Sequence, residues 1–439
     1  MQKALILLAA LAAAAPGLSA ARESAQQAQA QPFDSRVVIE AVRKAIRDNY
    51  VLPAKRAPLD AALAQGLASG RYAVANPQEL AQRVNADLFA VANDKHLGLR
   101  FDPETSKQLG RGPQNDSVQD GAFFEQLARS RNHGVTELKL LDGNIRYMKY
   151  DRFMWSGPES KAAIDGAVAF LRGGDAIVID IRGNGGGSPA AVNRLASYFV
   201  PGGSKLVTFH MRNDPPDVSI SDKEVPGGRI TGVPVYVLTS GHSASAAEEF
   251  ASHVAGFKFG TLVGETTAGA GYRNENFPIP GGFVLSVSVG RPELPDGSDW
   301  EARGVAPAIR VPVDYALERA QQAALETLAA RAEGPRKAQY EWAAAAVRAR
   351  LDPAPLARPM TAYAGRYGPR AISVEDGKLF YRRDGGIATA LLPIGPDLFV
   401  MEADANARVR FTAEGGAVTG FELLGPDGSA RPQRREPAS

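Results

Sequence analysis

The chain contains no cysteine. That excludes disulfide stapling, thiolate chemistry and lipid attachment through an N-terminal cysteine. A dominant charge is missing too. Lys and Arg number 50 against 48 Asp and Glu, so there is neither a basic face nor an acidic tail, and nucleic acid is not an expected partner. Histidine is scarce, with five in 439 residues, which leaves few candidates for an imidazole base. Long apolar runs are lacking after the first: Ala4 to Ala15 is unbroken for twelve residues. That is too short to cross a bilayer, and no other segment approaches the ~18 residues a spanning helix needs, so no membrane span is expected. Met1-Gln2-Lys3 before this run and the small residues Pro16 to Ala21 after it read as a signal peptide cleaved near Ala20, and hence export. Residues 21–32, rich in Ala, Gln and Ser, read as a leader.

What is present is ordinary for a globular protein of more than one domain, with 44% apolar and 22% charged residues. Between residues 33 and 102, Val37, Val38, Ile39, Val42, Ile46 and Tyr50, then Leu59, Leu63 and Leu67, then Leu80, Val84, Leu88 and Phe89 recur at helical spacing. They predict a small helical bundle ending in a polar turn and a strand at Asp94 to Leu99. Residues 103–120 read as a loop. From 121 to 313 strand and helix alternate, which predicts an α/β domain. The continuous apolar run Asp175 to Ile181 predicts a strand buried on both faces. Residues 314–357 read as an Ala-rich helical stretch and a Pro-marked linker. Residues 358–432 read as a small all-β module, a barrel or sandwich of short strands parted by Asp-Gly, Gly-Gly and Gly-Pro turns.

The chemistry is concentrated at Val237 to Phe250. An apolar strand breaks into Thr-Ser-Gly-His-Ser-Ala-Ser245 and then into the helix opened by Ala246. A serine at such a corner presents its hydroxyl beside unpaired backbone N–H groups. Ser245-Ala-Ala-Glu248 also satisfies a capping box, which needs no chemistry, and Glu248 is expected to cap. A second element, Arg182-Gly-Asn-Gly-Gly-Gly187, follows the buried strand and exposes N–H groups. It lacks the Gly-Lys-Ser/Thr of a phosphate loop and has Pro189 where a dinucleotide fingerprint needs glycine. Gly186 and Ala246 N–H are therefore expected to form an oxyanion hole. Arg182 is expected to pair structurally, and Tyr272 and Arg273 to line the cleft. Among the histidines, His242 is local to Ser245 without the geometry of a base, His253 lies two turns down the helix, and His133 and His210 sit in surface-like polar contexts. His96 stands at the turn that closes the helical domain.

Asp180 to Gly187, Ser243-Ala-Ser-Ala-Ala-Glu248, Gly264-Glu-Thr-Thr-Ala-Gly269 and Glu301-Ala-Arg-Gly-Val-Ala-Pro307 follow one another in the order seen in the tail-specific, C-terminal-processing serine peptidases of family S41. The resemblance covers about residues 35–315. It implies a ClpP/crotonase-like spiral of ββα units. It also implies cleavage of peptides or unfolded C-terminal segments through an acyl-enzyme on Ser245, with Ser243 in support and neither metal nor cofactor. The dyad lysine of the better-known branch is absent, since Ala268-Gly269-Ala270-Gly271 stands in its place and no lysine follows until Lys337. The chain is more similar to the branch of the tricorn core protease and the interphotoreceptor retinoid-binding modules. That branch implies His96 as base and Glu301 as a carboxylate that orients the imidazole or holds a substrate-side group. A regulatory PDZ domain does not fit between residues 100 and 142. Two other readings of the same scaffold are a non-catalytic binding protein for an apolar ligand and a crotonase-type acyl-CoA enzyme, against which export argues.

Overall fold

In the computed structural model the structure describes residues 33–110 and 125–437. The expected signal segment and leader, and the part of the expected loop after Gly110, lie outside the described residues. The described chain divides into two compact units.

The first unit holds residues 33–93, 97–110 and Glu275–Val287. Its helices Ser35–Asn49, Pro53–Ala68 and Pro77–Ala92 are those the apolar spacing predicts. Asp34 and Asn76 cap the first and third by accepting the N–H of Arg36 and Glu79, and Pro opens the second and third. Val38, Ile39, Val42, Ile46, Leu59, Leu63, Leu80, Val84 and Leu88 are buried, each contributing about 1.5–3 kcal/mol. Val37, counted in the predicted stripe, is turned about 100° from Val38 and is exposed. Strand β1 (Gly98–Phe101) pairs antiparallel with residues 283–286. Pro103–Gly110 forms a short helix, so the loop expected over 103–120 begins with an ordered turn started by Pro.

The second unit carries Asp94–His96, residues 125–274 and 288–437. Its main sheet contains β2 (Val135–Leu141), β3 (Ile145–Tyr150) and β4 (Ala176–Asp180). Beyond the strands β5 (Lys205–Met211) and β6 (Asp217–Ile220) it continues with β7 (Val235–Thr239) and β8 (Thr261–Gly264). After β9 (Arg273–Ile279) and β10 (Phe283–Glu293), β11 (Ile309–Arg310) completes it in the order β11-β8-β7-β4-β3-β2. All neighbours are parallel except β2 and β3. Ile177, Ile179, Val235 and Val237 join the helices Pro158–Leu171, Pro189–Ala196 and Ala246–Phe257 on one face. Ala176, Val178, Tyr236 and Leu238 join Ala316–Arg331 and Gly334–Leu351 on the other. Covering both faces is why these strands read as unbroken apolar runs. This crossover α/β sheet is the architecture the resemblance implies. It also sets the site, because the loops after β4, β7 and β8 leave adjacent carboxyl ends of parallel strands, where such sheets form their crevices.

Residues 365–434 form one eight-stranded antiparallel meander, β12 to β19, each strand pairing with its neighbour in sequence. The single sheet curls as a half-barrel rather than forming a sandwich, and beyond its last strand Glu436 N–H donates to Arg366 O at 2.9 Å. Its core is aromatic, with Phe411 in ring contact with Tyr363, Tyr367, Phe399 and Phe421. It docks on the preceding helix through Trp342, whose indole donates to Ala405 O at 3.0 Å while the Arg408 guanidinium lies 3.4 Å from its ring centre.

Candidate active site

The Ser245 corner is built by polar side chains that tie three loops together. Ser240 Oγ donates to Arg182 O at 2.6 Å and Ser243 Oγ to Ile181 O at 2.8 Å, locking the turn after β7 to the end of β4. Ser243 is fully buried, and its carbonyl accepts Ala268 N–H from the loop after β8. Asp180 and Arg182 form the structural pair expected of them. Burial works to raise the Asp180 carboxyl, but the Arg182 bonds and charge outweigh it and hold the group below its ordinary range.

Ser245 itself has φ +54° and ψ −118°. A non-glycine residue in that region costs about 1–3 kcal/mol and persists only where the surroundings impose it. The imposing group is Glu248. Its fully buried carboxylate accepts Ser245 N–H at 2.9 Å, Thr267 Oγ1–H at 2.6 Å, Gly269 N–H at 2.5 Å and Ala270 N–H at 2.8 Å. Capping is thus one of four bonds. The glutamate is a brace between the serine corner and the Gly-Glu-Thr-Thr loop.

Gly186 faces the serine. A Cβ there would lie 2.8 Å from Ser245 Cβ and 3.2 Å from Ala246 N, so only glycine permits the approach. The expectation for its N–H needs amending, because that group donates to Asn184 Oδ1 at 2.8 Å. Asn184 was missed, although an Asn two residues before a glycine is an Asx-turn signal. It is fully buried, donates from Nδ2 to Tyr150 O and accepts Ala244 N–H on its backbone oxygen. Ala246 stands at the first position of its helix, where backbone N–H groups have no intrahelical acceptor.

His96 is held beside this corner. Its N–H donates to Asp94 Oδ1 at 2.8 Å, and Lys95 Nζ donates to Ala268 O in the loop braced by Glu248. Burial pushes the His96 imidazole below its ordinary value, and the opposing charges of Asp94 and Glu248 are outweighed. That direction favours the neutral ring, the state a general base requires. Its Nδ1 is buried and has no hydrogen-bond partner among the described residues. Glu301 does not reach it. The Glu301 carboxyl accepts Gly271 N–H at 2.5 Å and Tyr272 N–H at 3.1 Å. Burial pushes this carboxyl up to about 7, opposed by those N–H donors and reinforced by Asp94 and Glu248. Among the described residues no hydrogen bond joins His96 to Ser245 or to Glu301. Asp94 was missed. It is 2% exposed and lies in the same electrostatic cluster, two residues from the histidine.

Two of the other histidines have side-chain partners. His133 is buried rather than surface-like, 2.8 Å from Ser160 Oγ, and His210 sits 3.0 Å from Glu293. Around the glycine loop three cavities adjoin. One of 690 Å³ and one of 480 Å³ share Trp155 and Ser188. One of 170 Å³ lies against Ser245 and shares Pro189, Phe209 and Arg273 with the second. Tyr272 and Arg273 both line this last cavity, and among the described residues no His, Cys, Asp and Glu cluster has metal-site geometry.

A strand-to-helix serine corner, a facing glycine loop and a buried imidazole on a crossover sheet define an α/β protein whose site is organised around one hydroxyl. Comparison with known proteins places it further. Residues 144–311 match the model of peptidase family S41, and residues 24–130 match the N-terminal domain of peptidase S41 in eukaryotic IRBP. The chain belongs to peptidase family S41. It is 34% identical over 137 residues to the chloroplastic C-terminal processing peptidase of Tetradesmus obliquus, covering 31% of this chain and 28% of that one. It is 29% identical over 173 residues to the chloroplastic carboxyl-terminal-processing peptidase 2 of Arabidopsis thaliana, covering 39% and 32%. Among solved structures, the photosystem II D1 C-terminal processing protease superposes with a TM-score of 0.44 at 17% identity, over 64% of this chain and 94% of that one. The chain spans about a third of the length of the curated relatives it matches.

Proposed function

We propose that this chain is an exported serine endopeptidase that cleaves peptides or unfolded C-terminal segments through an acyl-enzyme on Ser245. The observation that carries the reading is the strained Ser245 backbone at the tip of a buried helix, held opposite Gly186 by a fully buried carboxylate. Strain kept by that much buried polar structure points to a hydroxyl that must stand in one place. Export rests on the apolar segment at Ala4 to Ala15, and no described helix is long and apolar enough to cross a membrane.

In the reaction Ser245 Oγ attacks the scissile carbonyl while His96 takes its proton, forming the tetrahedral adduct. His96 then returns the proton to the departing amine, and water releases the acyl group by the same relay. Ala246 N–H, at the positive end of its helix, stabilises the oxyanion. Glu301 fixes the Gly271–Tyr272 backbone that borders the site, and the charges of Asp94 and Glu248 favour the imidazolium. The adjoining cavities offer a path for an extended chain rather than a single compact pocket. The C-terminal processing named for the relatives is carried over to this chain on those grounds.

Fluorophosphonate labelling tests the reading. Labelling lost in Ser245→Ala and strongly reduced in His96→Ala supports it. Folded protein that does not label, with turnover of unfolded substrates unchanged in both variants, would sink it.

A further inference from the structure

The main sheet ends differently on its two sides. At one end β11 has two residues, too short to template another strand. At the other β2 runs for seven residues, and among the described residues no strand pairs with its outer edge. Alternate N–H and C=O groups of such an edge face outward unpaired. The usual guards against pairing are weak here. The strand has no proline, and its one register shift lies at its start, between Val135 and Glu137. Its central lysine, Lys139, is neutralised by Glu137 at 2.6 Å. Leu138 and Leu140 are 41% and 62% exposed. They share a face, and Leu138 stands opposite Met148, a buried member of the core that includes Ile164 and Val168 of the helix Pro158–Leu171. The apolar layer of that face therefore continues onto the exposed edge.

Charge decides what fits there. Thr136-Glu137-Leu138-Lys139-Leu140 has opposite charges placed evenly about Leu138. A second copy of β2 laid antiparallel along this edge keeps one continuous sheet only if opposed residues share a face. The two-fold axis then passes through a residue and not between two. An axis at Leu138 sets Glu137 against the partner's Lys139 and Lys139 against the partner's Glu137, with the two Leu138 side chains opposed at the centre. An axis at Glu137 or Lys139 opposes like charges, and one at Thr136 or Leu140 pairs neither charge.

We infer that the outer edge of β2 is a self-association surface, at which two copies of this chain pair antiparallel about Leu138 into one continuous sheet. No residue of the serine corner is involved, so the association is independent of the peptidase reading. Thr136 to Leu140 is short against the ~20–30 residues a side of a standard interface, so the dimer is a reversible one.

Sedimentation of the full chain over about 1 µM to 1 mM tests it. Wild type is expected to show a monomer–dimer equilibrium that shifts with concentration. Glu137→Lys and Lys139→Glu each place two like-charge pairs across the axis, and each is expected to weaken the dimer about 10–100-fold. An equal mixture of these two variants is expected to form a mixed dimer, because every pair across the axis is again opposite in sign. Misfolding cannot mimic that pattern, since each variant associates with the other and not with itself. Wild type that stays monomeric throughout overturns the inference and leaves the edge to an unlike chain. A dimer that both variants leave unchanged within twofold overturns it as well, and so does a mixture that associates no better than either variant alone.

Discussion

The serine corner and the C-terminal meander are built on opposite plans. Around Ser245 the buried volume is spent on polar groups: Asp94, Asn184, Ser243, Glu248 and Glu301 are each 9% exposed or less. In the meander the buried residues are rings and aliphatics, Tyr363, Phe399, Phe411 and Phe421 among them, and the arginines form pairs such as Arg366–Asp384 at the surface. Apolar packing needs no exact partner, so the meander is stable without directing any atom. Buried hydrogen bonds fix direction, at the cost of desolvation. The contrast predicts that substitutions in the first region alter chemistry and pH response, while those in the second alter stability alone.

The largest expected effect is on turnover. Ser245→Ala should lower kcat/KM by about 10⁴–10⁶-fold while leaving the melting temperature at or above that of wild type. Steady-state assay beside calorimetry checks both halves, and a fall in melting temperature of many degrees would place Ser245 among the structural groups instead.

Next come two deletions that set the regions against each other. Glu248→Ala removes the acceptor of three N–H groups and one hydroxyl, and should destabilise by about 3–5 kcal/mol and abolish fluorophosphonate labelling together. Phe411→Ala leaves an aromatic-sized cavity and should also cost about 3–5 kcal/mol, yet leave labelling of the folded fraction intact. Loss of labelling in folded Phe411→Ala would break the comparison by making the meander part of the site.

How much of this was legible follows from where each residue's partners lie. The strand Ala176–Asp180 could be read because both of its faces are apolar, and the meander because turn residues punctuate every hairpin. Strands β5 and β6 were passed over. β5 pairs antiparallel with β6 on one side and, on the other, with Gly290–Glu293 of β10 some eighty residues further along the chain, and Asp217–Ile220 has only four residues to reveal a period. At the site, Gly186 was legible because close backbone approach demands glycine, and Ser245 because it stands at a strand-to-helix corner. The brace was not. Glu248 also satisfied a local capping pattern, whereas Thr267, Gly269 and Ala270 lie 19 to 22 positions away. The expected Glu301–His96 partnership named two residues of one electrostatic cluster, but the carboxylate is bonded to Gly271 and Tyr272 instead.

A smaller effect separates the regions by pH. The Glu301 carboxyl is raised from its ordinary value of 4.5 to about 7. A group raised on folding contributes its stability fully below the unfolded value and loses it as pH climbs through the folded one. Wild type should therefore be less stable at pH 8 than at pH 5 by up to about 3 kcal/mol from this group, less the share screened by water. Glu301→Gln should flatten that slope, and Phe411→Ala should not. Denaturant melts at the two pH values decide it. His96, depressed by burial, acts in the other direction, so the acid limb of kcat/KM should lie below the ordinary histidine value in wild type.

The smallest effect compares two residues with the same sign of φ. Ser245 has φ +54° and Asp397, in the meander, has φ +52°. Glycine relieves the backbone cost at either position. At Asp397 it would also delete a carboxylate that accepts from Tyr363 Oη–H at 2.8 Å and from Arg358 Nε at 3.1 Å. At Ser245 the braces act on the backbone N–H and are kept by glycine. Ser245→Gly should thus gain about 1 kcal/mol while losing as much activity as Ser245→Ala, and Asp397→Gly should lose about 1–2 kcal/mol. Equal signs at the two positions would show that the serine corner stores no strain of its own, and that its conformation is one the local sequence adopts unforced.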